Sequence, residues 1–503
     1  MKSLRGLLHL LRGDFARALA EVDTSSLGGL NSWLPWAYYR MGMYATVAAL
    51  PLKPGRRRHV MPAVVSLAAC GQHDRARKML AAAQWRGTPA RWRVALADAL
   101  APFMPVEALQ LLESVQEAAS PALHAALLLR TNQPARAREL LADALNRGQA
   151  ARYPELHLYQ TMASPDQPQQ QLERLNLFFA AHGLPPVALC NPQVAPGPCN
   201  VKLPDLLDLP PVADGPLVSV LMTTFHTGAR ASVAIESLLN QTYRNLEIIV
   251  VDDASTDETP ELVERWARKD ARVKLLRLQT NGGTYLAKSM GLQLARGEFV
   301  TCHDSDDWSH PLKIEMQVRP LLEDASLVAT TSHWVRMQDD GVFYARPVHT
   351  LMRLNPSSPL FRRERVLQRM GAWDCVRTGA DSEFHARLRL VFGKTAVKRI
   401  AKPLALGSHR VGSLMTAQDT GYSDTGISPQ RLAYWEAWAG WHLECLRRGT
   451  LPRLPLDLVA LSESRLFDAP EEICVRPERV RAVQNQVRQQ VLHAGAGSDP
   501  VFI

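Results

Sequence analysis

The hydrophobic pattern of this chain changes period near residue 216. Beyond it, short β-branched runs alternate with helical stretches. Leu217-Val218-Ser219-Val220-Leu221-Met222 reads as a buried strand ending at Thr223-Thr224-Phe225-His226. Val233, Ile235, Leu238 and Leu239 follow at helical spacing. Leu246-Glu247-Ile248-Ile249-Val250-Val251 is a second strand and runs into Asp252-Asp253-Ala254-Ser255-Thr256-Asp257. Ser255 or Thr256 is expected to cap the helix through Leu262 and Val263. A strand over 273–278, the loop Asn281-Gly282-Gly283-Thr284, a helix over 286–295 and a strand over 297–303 complete the series. Strands alternating with helices predict an α/β fold with a mostly parallel sheet and right-handed crossovers.

Before residue 180 the period is helical, and it repeats. Aligning Ala18, Val47, Ala76, Ala108 and Ala137 gives spacings of 29 to 32 residues. Five residues before each stands Gly13, Gly42, Gly71, Phe103 or Asn132. Gly or Asn at four of the five predicts a left-handed turn between paired helices. The pattern implies five stacked helical hairpins, an all-α repeat domain over 1–180 that resembles tetratricopeptide repeats. Its concave face either binds a protein partner or acceptor, or serves only as a packing scaffold. Nine prolines within 185–216 predict an extended linker over 181–215. Ser428-Pro429 starts another helix, in which Tyr434, Trp435, Trp438 and Trp441 recur at helical spacing. That stripe reads as core, with an acceptor-sugar platform or interfacial anchor as the alternative. Residues 426–503 are predicted to be a helical extension, with a last helix near 477–492.

Candidate chemistry sits at the strand ends. Asp304-Ser305-Asp306-Asp307 closes the fourth strand as Asp252-Asp253 closes the second. Both acidic clusters therefore fall on one sheet edge, where open α/β folds bind ligands. Closely spaced carboxylates are hard oxygen ligands suited to Mg²⁺ or Mn²⁺, ions that hold phosphates.

In order and spacing, these pieces resemble a family 2 glycosyltransferase with the GT-A fold. The matching residues are Val218-Ser219-Val220 with Thr223-Thr224, Gln241-Thr242-Tyr243, the run Glu247 to Asp257, Asn281 with Gly283, Ala295-Arg296-Gly297-Glu298 and Asp304-Ser305-Asp306-Asp307. The resemblance implies a catalytic domain over 216–425. The implied reaction is inverting, metal-dependent transfer of a sugar from a nucleotide-sugar, with a UDP-sugar expected, to a glycan hydroxyl. Asp306 is implied as the direct ligand of Mn²⁺ or Mg²⁺, and Asp304 as a ribose or water-mediated metal contact. Asp253 is implied to accept a hydrogen bond from the uracil imide. Thr223 and Phe225 line the same pocket, Phe225 standing where the family often has Tyr. Lys288, near a position where relatives often carry Arg, is expected on a helix surface, either reaching the diphosphate or merely solvated. Asp252 is expected to bond loop amides, and Asp307 to cap the segment before Pro311.

Further along, Met370-Gly371-Ala372-Trp373-Asp374 and Thr378-Gly379-Ala380-Asp381-Ser382-Glu383-Phe384 resemble the family's acceptor-side motif. There the final Asp of a Glu-Asp pair takes the acceptor proton. Ala380 replaces the Glu, so only Asp381 carries over as base. Glu383 is its rival, and Asp381 also fits a helix N-cap. The segment 406–416 resembles one that closes over the diphosphate. Either His409 or Arg410 aligns with the residue that touches metal or phosphate, and Ser413 and Thr416 are further phosphate donors.

Composition bounds these readings. Hydrophobic content of 46% and charged content of 21% suit a soluble globular chain, and 503 residues suggest two or three domains. No run approaches the ~20 apolar residues of a bilayer span. The net charge of +9 falls almost entirely within residues 1–200, densest at Arg56-Arg57-Arg58-His59. It reads as a solvated helical face, with anionic head groups or an acidic glycan as alternatives and at most peripheral membrane contact. Nucleic acid is not expected, since no recognition motif accompanies the charge. Seven scattered cysteines without a Cys-x-x-Cys predict a reduced, cytoplasmic setting. Leu7-Leu8-His9-Leu10-Leu11, interrupted by Arg12 and Asp14, predicts an amphipathic helix rather than a signal peptide.

Surface-polysaccharide assembly is the expected role, with a lipid-linked glycan or a protein as the other acceptors. A non-catalytic scaffold with a degenerate transferase domain is the alternative, against which Asp253, Asp304, Asp306 and Asp381 argue. A nucleotidyltransferase would require a Gly-rich basic loop after the first strand, and Thr223 to Gly228 is not one.

Overall fold

The computed structural model describes residues 2–21, 33–83, 85, 87–115, 119–164, 167–345, 348–410, 413, 421–423 and 426–494. Among these residues ten strands form one sheet. Its first four, β1 (Val218–Thr224), β2 (Leu246–Asp252), β3 (Val273–Arg277) and β4 (Phe299–Asp304), run parallel in the order β3-β2-β1-β4. The rest are β5 (Trp308–Ser309), β6 (Ala329–Met337), β7 (Phe343–Tyr344), β8 (Arg353–Leu354), β9 (Leu360–Arg362) and β10 (Val397–Ser408). The order continues β9-β6-β10-β5, and β7 and β8 pair on β6. β9 is antiparallel to β4 and β6, whereas β10 is parallel to β6. The mostly parallel arrangement thus holds for the first half and gives way to a mixed one. From β6 to β9 no helix intervenes among the described residues, and without a crossover helix neighbouring strands pair antiparallel.

Alternation along the strands buries both faces. Val218, Val220, Met222, Ile248 and Val250 pack with the helices Ala229–Leu239, Thr259–Lys269 and Lys313–Glu323. Leu221, Ile249 and Val251 face the opposite way, toward Thr284–Leu294, Ala380–Phe392 and Pro429–Arg447. Each such side chain contributes roughly 1.5–3 kcal/mol on burial. The register sets Thr223 beside Asp304 and Thr224 beside Asp252, so the acidic strand tips share one edge. Neither Ser255 nor Thr256 caps the helix Thr259–Lys269. Glu258 is its N-cap, and the Asp257 carboxylate accepts the Thr259 N–H at 3.1 Å. Pro260 at the helix start favours that position, and Ser255 instead accepts the His226 N–H.

Helices up to Ala181 come in pairs: Lys2–Leu11 with Phe15–Ala20, Leu34–Arg40 with Tyr44–Ala49, Arg57–Ala69 with His73–Ala81, Ala90–Leu100 with Pro105–Glu113, and Pro121–Arg130 with Pro134–Asn146. Ala18, Val47, Ala76, Ala108 and Ala137 are all buried, and Gly13, Gly42, Gly71 and Asn132 all have positive φ. A sixth pair, Leu156–Ala163 with Pro168–Ala181, escapes the repeat alignment because no Gly or Asn stands at the repeat spacing. The stretch beyond is less extended than its prolines predict. Ala188–Leu189 and Val201–Lys202 pair antiparallel, and the Asn200 amide donates to the carbonyls of Asn191, Val194 and Ala195.

The repeats are not a detached module. They share a core with Trp308, Val335, Met337, Leu404 and Leu406 of the sheet. At their other end Ala18, Leu19 and Trp33 join a core with the C-terminal helices. Tyr434 and Trp438 are buried, as the core reading of the aromatic stripe expects. Trp435 Nε1 donates to the Met41 carbonyl at 2.9 Å, and Glu436 accepts from the Thr46 N–H and hydroxyl. Gly42 has φ +78°, and a Cβ there would stand 2.6 Å from Trp435 Nε1. Gly42→Ala is therefore expected to destabilise the protein by more than about 1 kcal/mol, read as a lower midpoint in thermal unfolding. No helix among the described residues is long and apolar enough to cross a membrane.

Candidate active site at the strand-tip edge

Three elements meet where β1 and β4 end. Asp304 closes β4, Asp381 stands in the first turn of Ala380–Phe392, and Lys288 comes from Thr284–Leu294. Lys288 Nζ lies 3.2 Å from Asp381 Oδ2 and 3.9 Å from Asp304 Oδ1. Lys288 is not the surface residue expected from sequence. Its side chain is 1% exposed, because Tyr285 through Leu292 are buried all round the helix. The signal was present: Thr284-Tyr285-Leu286-Ala287-Lys288-Ser289-Met290-Gly291 carries no solvent face. Burial opposes the Lys288 charge, but Asp381, Cys302 and Asp304 outweigh it and hold the ammonium's pKa above the ordinary value.

Asp381 is the second residue of its helix, and Gly379 is the N-cap, so Asp381 does not cap. Its carboxylate also accepts from the Tyr285 hydroxyl at 3.3 Å. Burial raises its pKa, Lys288 works against that rise, and Asp304 adds to it. Such a group is a stronger base than a surface aspartate. The rival Glu383 is engaged elsewhere. It is fully buried, paired twice with Arg387 at 2.7 Å and with His442 at 3.0 Å. Burial pushes its pKa up, but Arg387 and His442 override this and hold it at about 2.

On the other side of the edge, Asp253 accepts the Gly282 and Gly283 N–H groups, each at 2.7 Å. Gly283 makes this contact from φ +84°. Asp252 accepts the Ser255 N–H at 3.0 Å, so both acids bond loop amides and the division of labour read from sequence blurs. Burial raises the Asp253 pKa to about 6 against its two amide donors. Thr223 shares a 2.7 Å hydrogen bond with Thr284, and Phe225 is exposed with its ring stacked on His226. Two residues missed from sequence complete the edge. Tyr285 contacts Asp381, and the Ser357 hydroxyl donates to Asp304 at 3.0 Å. Nothing local marks Ser357, which arrives from 53 residues downstream.

Asp306 accepts from Arg410 Nε at 2.9 Å, so of His409 and Arg410 it is Arg410 that faces the acidic turn. His409 lies flat on Tyr344, centroids 3.6 Å apart, and its burial lowers its pKa to about 4. Among the described residues no three His, Cys, Asp or Glu side chains gather as metal ligands. The set Asp304, Asp306 and His409 is therefore not assembled, since stacking holds the imidazole against Tyr344. Asp307 does not cap the next segment. It accepts the Ser408 N–H at 2.9 Å across the sheet, and burial beside Asp304 and Asp306 raises its pKa well above the carboxylate range. What fits a divalent cation is the pair Asp304 and Asp306, partly exposed hard-oxygen donors on one turn. Mg²⁺ and Mn²⁺ bound with phosphates commonly use one or two carboxylates rather than a full protein cage. Thr416 lies outside the described residues.

Residues 219–379 match the family model described as Glycosyl transferase family 2. Over 128 residues the chain is 37% identical to "Glycosyltransferase GlyG" of Streptococcus pneumoniae, covering 25% of this chain and 42% of that protein. Over 124 residues it is 31% identical to "Putative teichuronic acid biosynthesis glycosyltransferase TuaG" of Bacillus subtilis, covering 25% and 49%. The chain spans about half the length of the curated relatives it matches. Among solved structures, S. aureus TarS 1–349 in complex with UDP-GlcNAc aligns over 49% of this chain and 70% of that one, at 19% identity and a TM-score of 0.37. Asp381 lies two residues beyond the family match, and the helical repeats lie outside it. At residues 219–379 the chain carries a glycosyl transferase family 2 domain.

Proposed function

We propose that the protein transfers a sugar, with inversion, from a nucleotide-sugar to a hydroxyl of a glycan acceptor. The observation that carries this reading is the half-buried Asp381 carboxylate, held by Lys288 beside Asp304 at the strand-tip edge. Asp381 accepts the proton of the acceptor hydroxyl as that oxygen attacks the anomeric carbon and the nucleoside diphosphate departs. Lys288 stays charged and keeps Asp381 ionised between turnovers. Asp253, Thr223 and Phe225 hold the base and ribose, with UDP the expected nucleotide. Asp304 and Asp306 would hold Mg²⁺ or Mn²⁺, which when bound supplies Lewis-acid neutralisation of the diphosphate. Arg410 adds positive charge at the same place. The teichuronic acid biosynthesis for which TuaG is named supports assembly of a surface polysaccharide.

A panel of nucleotide-sugars, with released UDP or GDP as readout, tests the reading. Release from one donor that rises with a glycan acceptor supports it. No release from any donor, with the fold intact, refutes it. Donor binding has its own pH signature. With its pKa raised to about 6, Asp253 is ionised above that pH and protonated below it. Protonation leaves fewer oxygens to accept from Gly282 and Gly283, so UDP affinity is expected to fall as pH drops through about 6. Titration calorimetry at pH 5 and pH 8 reads this directly.

A further inference from the structure

We propose that the helical repeats are a built-in part of the donor edge, and that Glu155 is the positioning residue through which they set Ser357 against Asp304. This rests on the reading above for its functional consequence. Glu155 is buried, and each carboxylate oxygen takes one backbone N–H of the transferase domain, Leu351 at 2.9 Å and Met352 at 2.8 Å. Tyr159, one helical turn on, donates its hydroxyl to the Val348 carbonyl at 3.1 Å. Asp98, from a different helical pair, lies 3.2 Å from His349 Nδ1. Val348 and Leu351 are themselves buried in the core of the repeats. The repeats thus hold residues 348–352 by backbone and side chain alike.

From that grip the chain has no slack before the active site. Arg353 and Leu354 are β8 and pair with Trp334 and His333. The Asn355 N–H donates to the Ser332 carbonyl at 3.0 Å, and its side chain accepts the Ser357 N–H at 2.9 Å. The Ser357 hydroxyl donates to both Asp304 oxygens, at 3.0 and 3.2 Å. Displacing 351–352 therefore displaces the hydroxyl that orients Asp304. A carboxylate is required at 155 because both facing groups are donors. Gln keeps the shape but turns an NH₂ toward one of the two N–H groups.

The test uses the full chain. In Glu155→Gln, hydrogen–deuterium exchange is expected to quicken from 348 through 357. Quickening confined to 351–352 overturns the proposal. UDP affinity with Mn²⁺ is expected to fall on the order of 10–100-fold, as when an outer partner of a ligand is lost, and by a similar factor in Ser357→Ala. The double variant is expected to be no weaker than the poorer single one. Losses that multiply would mean that the two residues act independently, which overturns it. If Glu155→Gln fails to fold, Tyr159→Phe removes only the Val348 bond and is read by the same exchange criterion. Wild-type protein that binds neither UDP nor GDP refutes the functional reading alone, and the exchange result still decides the positioning role.

Discussion

Asp381→Asn is expected to lower turnover by about 10²–10⁴-fold, the range for removing a general base, while UDP still binds. The amide keeps the volume and a contact to Lys288, but it cannot take a proton. Ordinary pKa logic sets the pH dependence of the wild type. Burial places the Asp381 pKa above the usual carboxylate value, so the base is lost as pH falls through that raised value. Lys288 is what limits the rise. Lys288→Met removes that restraint, so its acid limb in kcat against pH is expected to move to higher pH. Asp381→Asn turnover within tenfold of wild type would sink the assignment, and UDP calorimetry separates lost chemistry from lost binding.

Glu383→Ala is expected to cost about 3–5 kcal/mol, as breaking one side of a buried ion pair does. Arg387 is fully buried, and its bonds to the Met370 and Ala372 carbonyls do not replace the lost counter-charge. A double change of Glu383 and Arg387 to Met is expected to be far milder, since no charge is stranded. Acid adds a second check. The folded-state pKa of Glu383 is about 2 against an ordinary 4.5, so its stabilisation is complete above pH 4.5 and is lost as pH falls toward 2. Glu383→Ala should flatten the acid dependence of unfolding in that window. A loss below about 1 kcal/mol would show that the pair is dispensable. Such a loss would also reopen Glu383 as a candidate for chemistry.

Much of the transferase half was legible along the chain. β1 to β4 fall where the β-branched runs predict, because strands buried on both faces leave a strong apolar signature. The acid clusters were legible because they stop those runs. The repeat turns were legible from Gly13, Gly42, Gly71 and Asn132, whose backbone demand is local. Lys288 was misread because a residue's burial depends on what packs around its helix, although an apolar helix with one lysine was a usable sign. His409 was misread because Tyr344, its stacking partner, lies 65 positions away in sequence. Ser357 and Glu155 carry no motif at all.

What the chain determined alone is what short-range physics can write. It set the alternation of periods, the strand and helix order, the left-handed turns, and two acid clusters at strand ends that resemble one transferase family. What the tertiary structure decided is which charges face which. It gave Asp381 a lysine at the strand-tip edge and Glu383 a buried arginine. It also joined the repeats to the site through Glu155 and residues 348–357. Coulomb energy and desolvation depend on distances across the fold, and those distances exist only once separate segments have packed together.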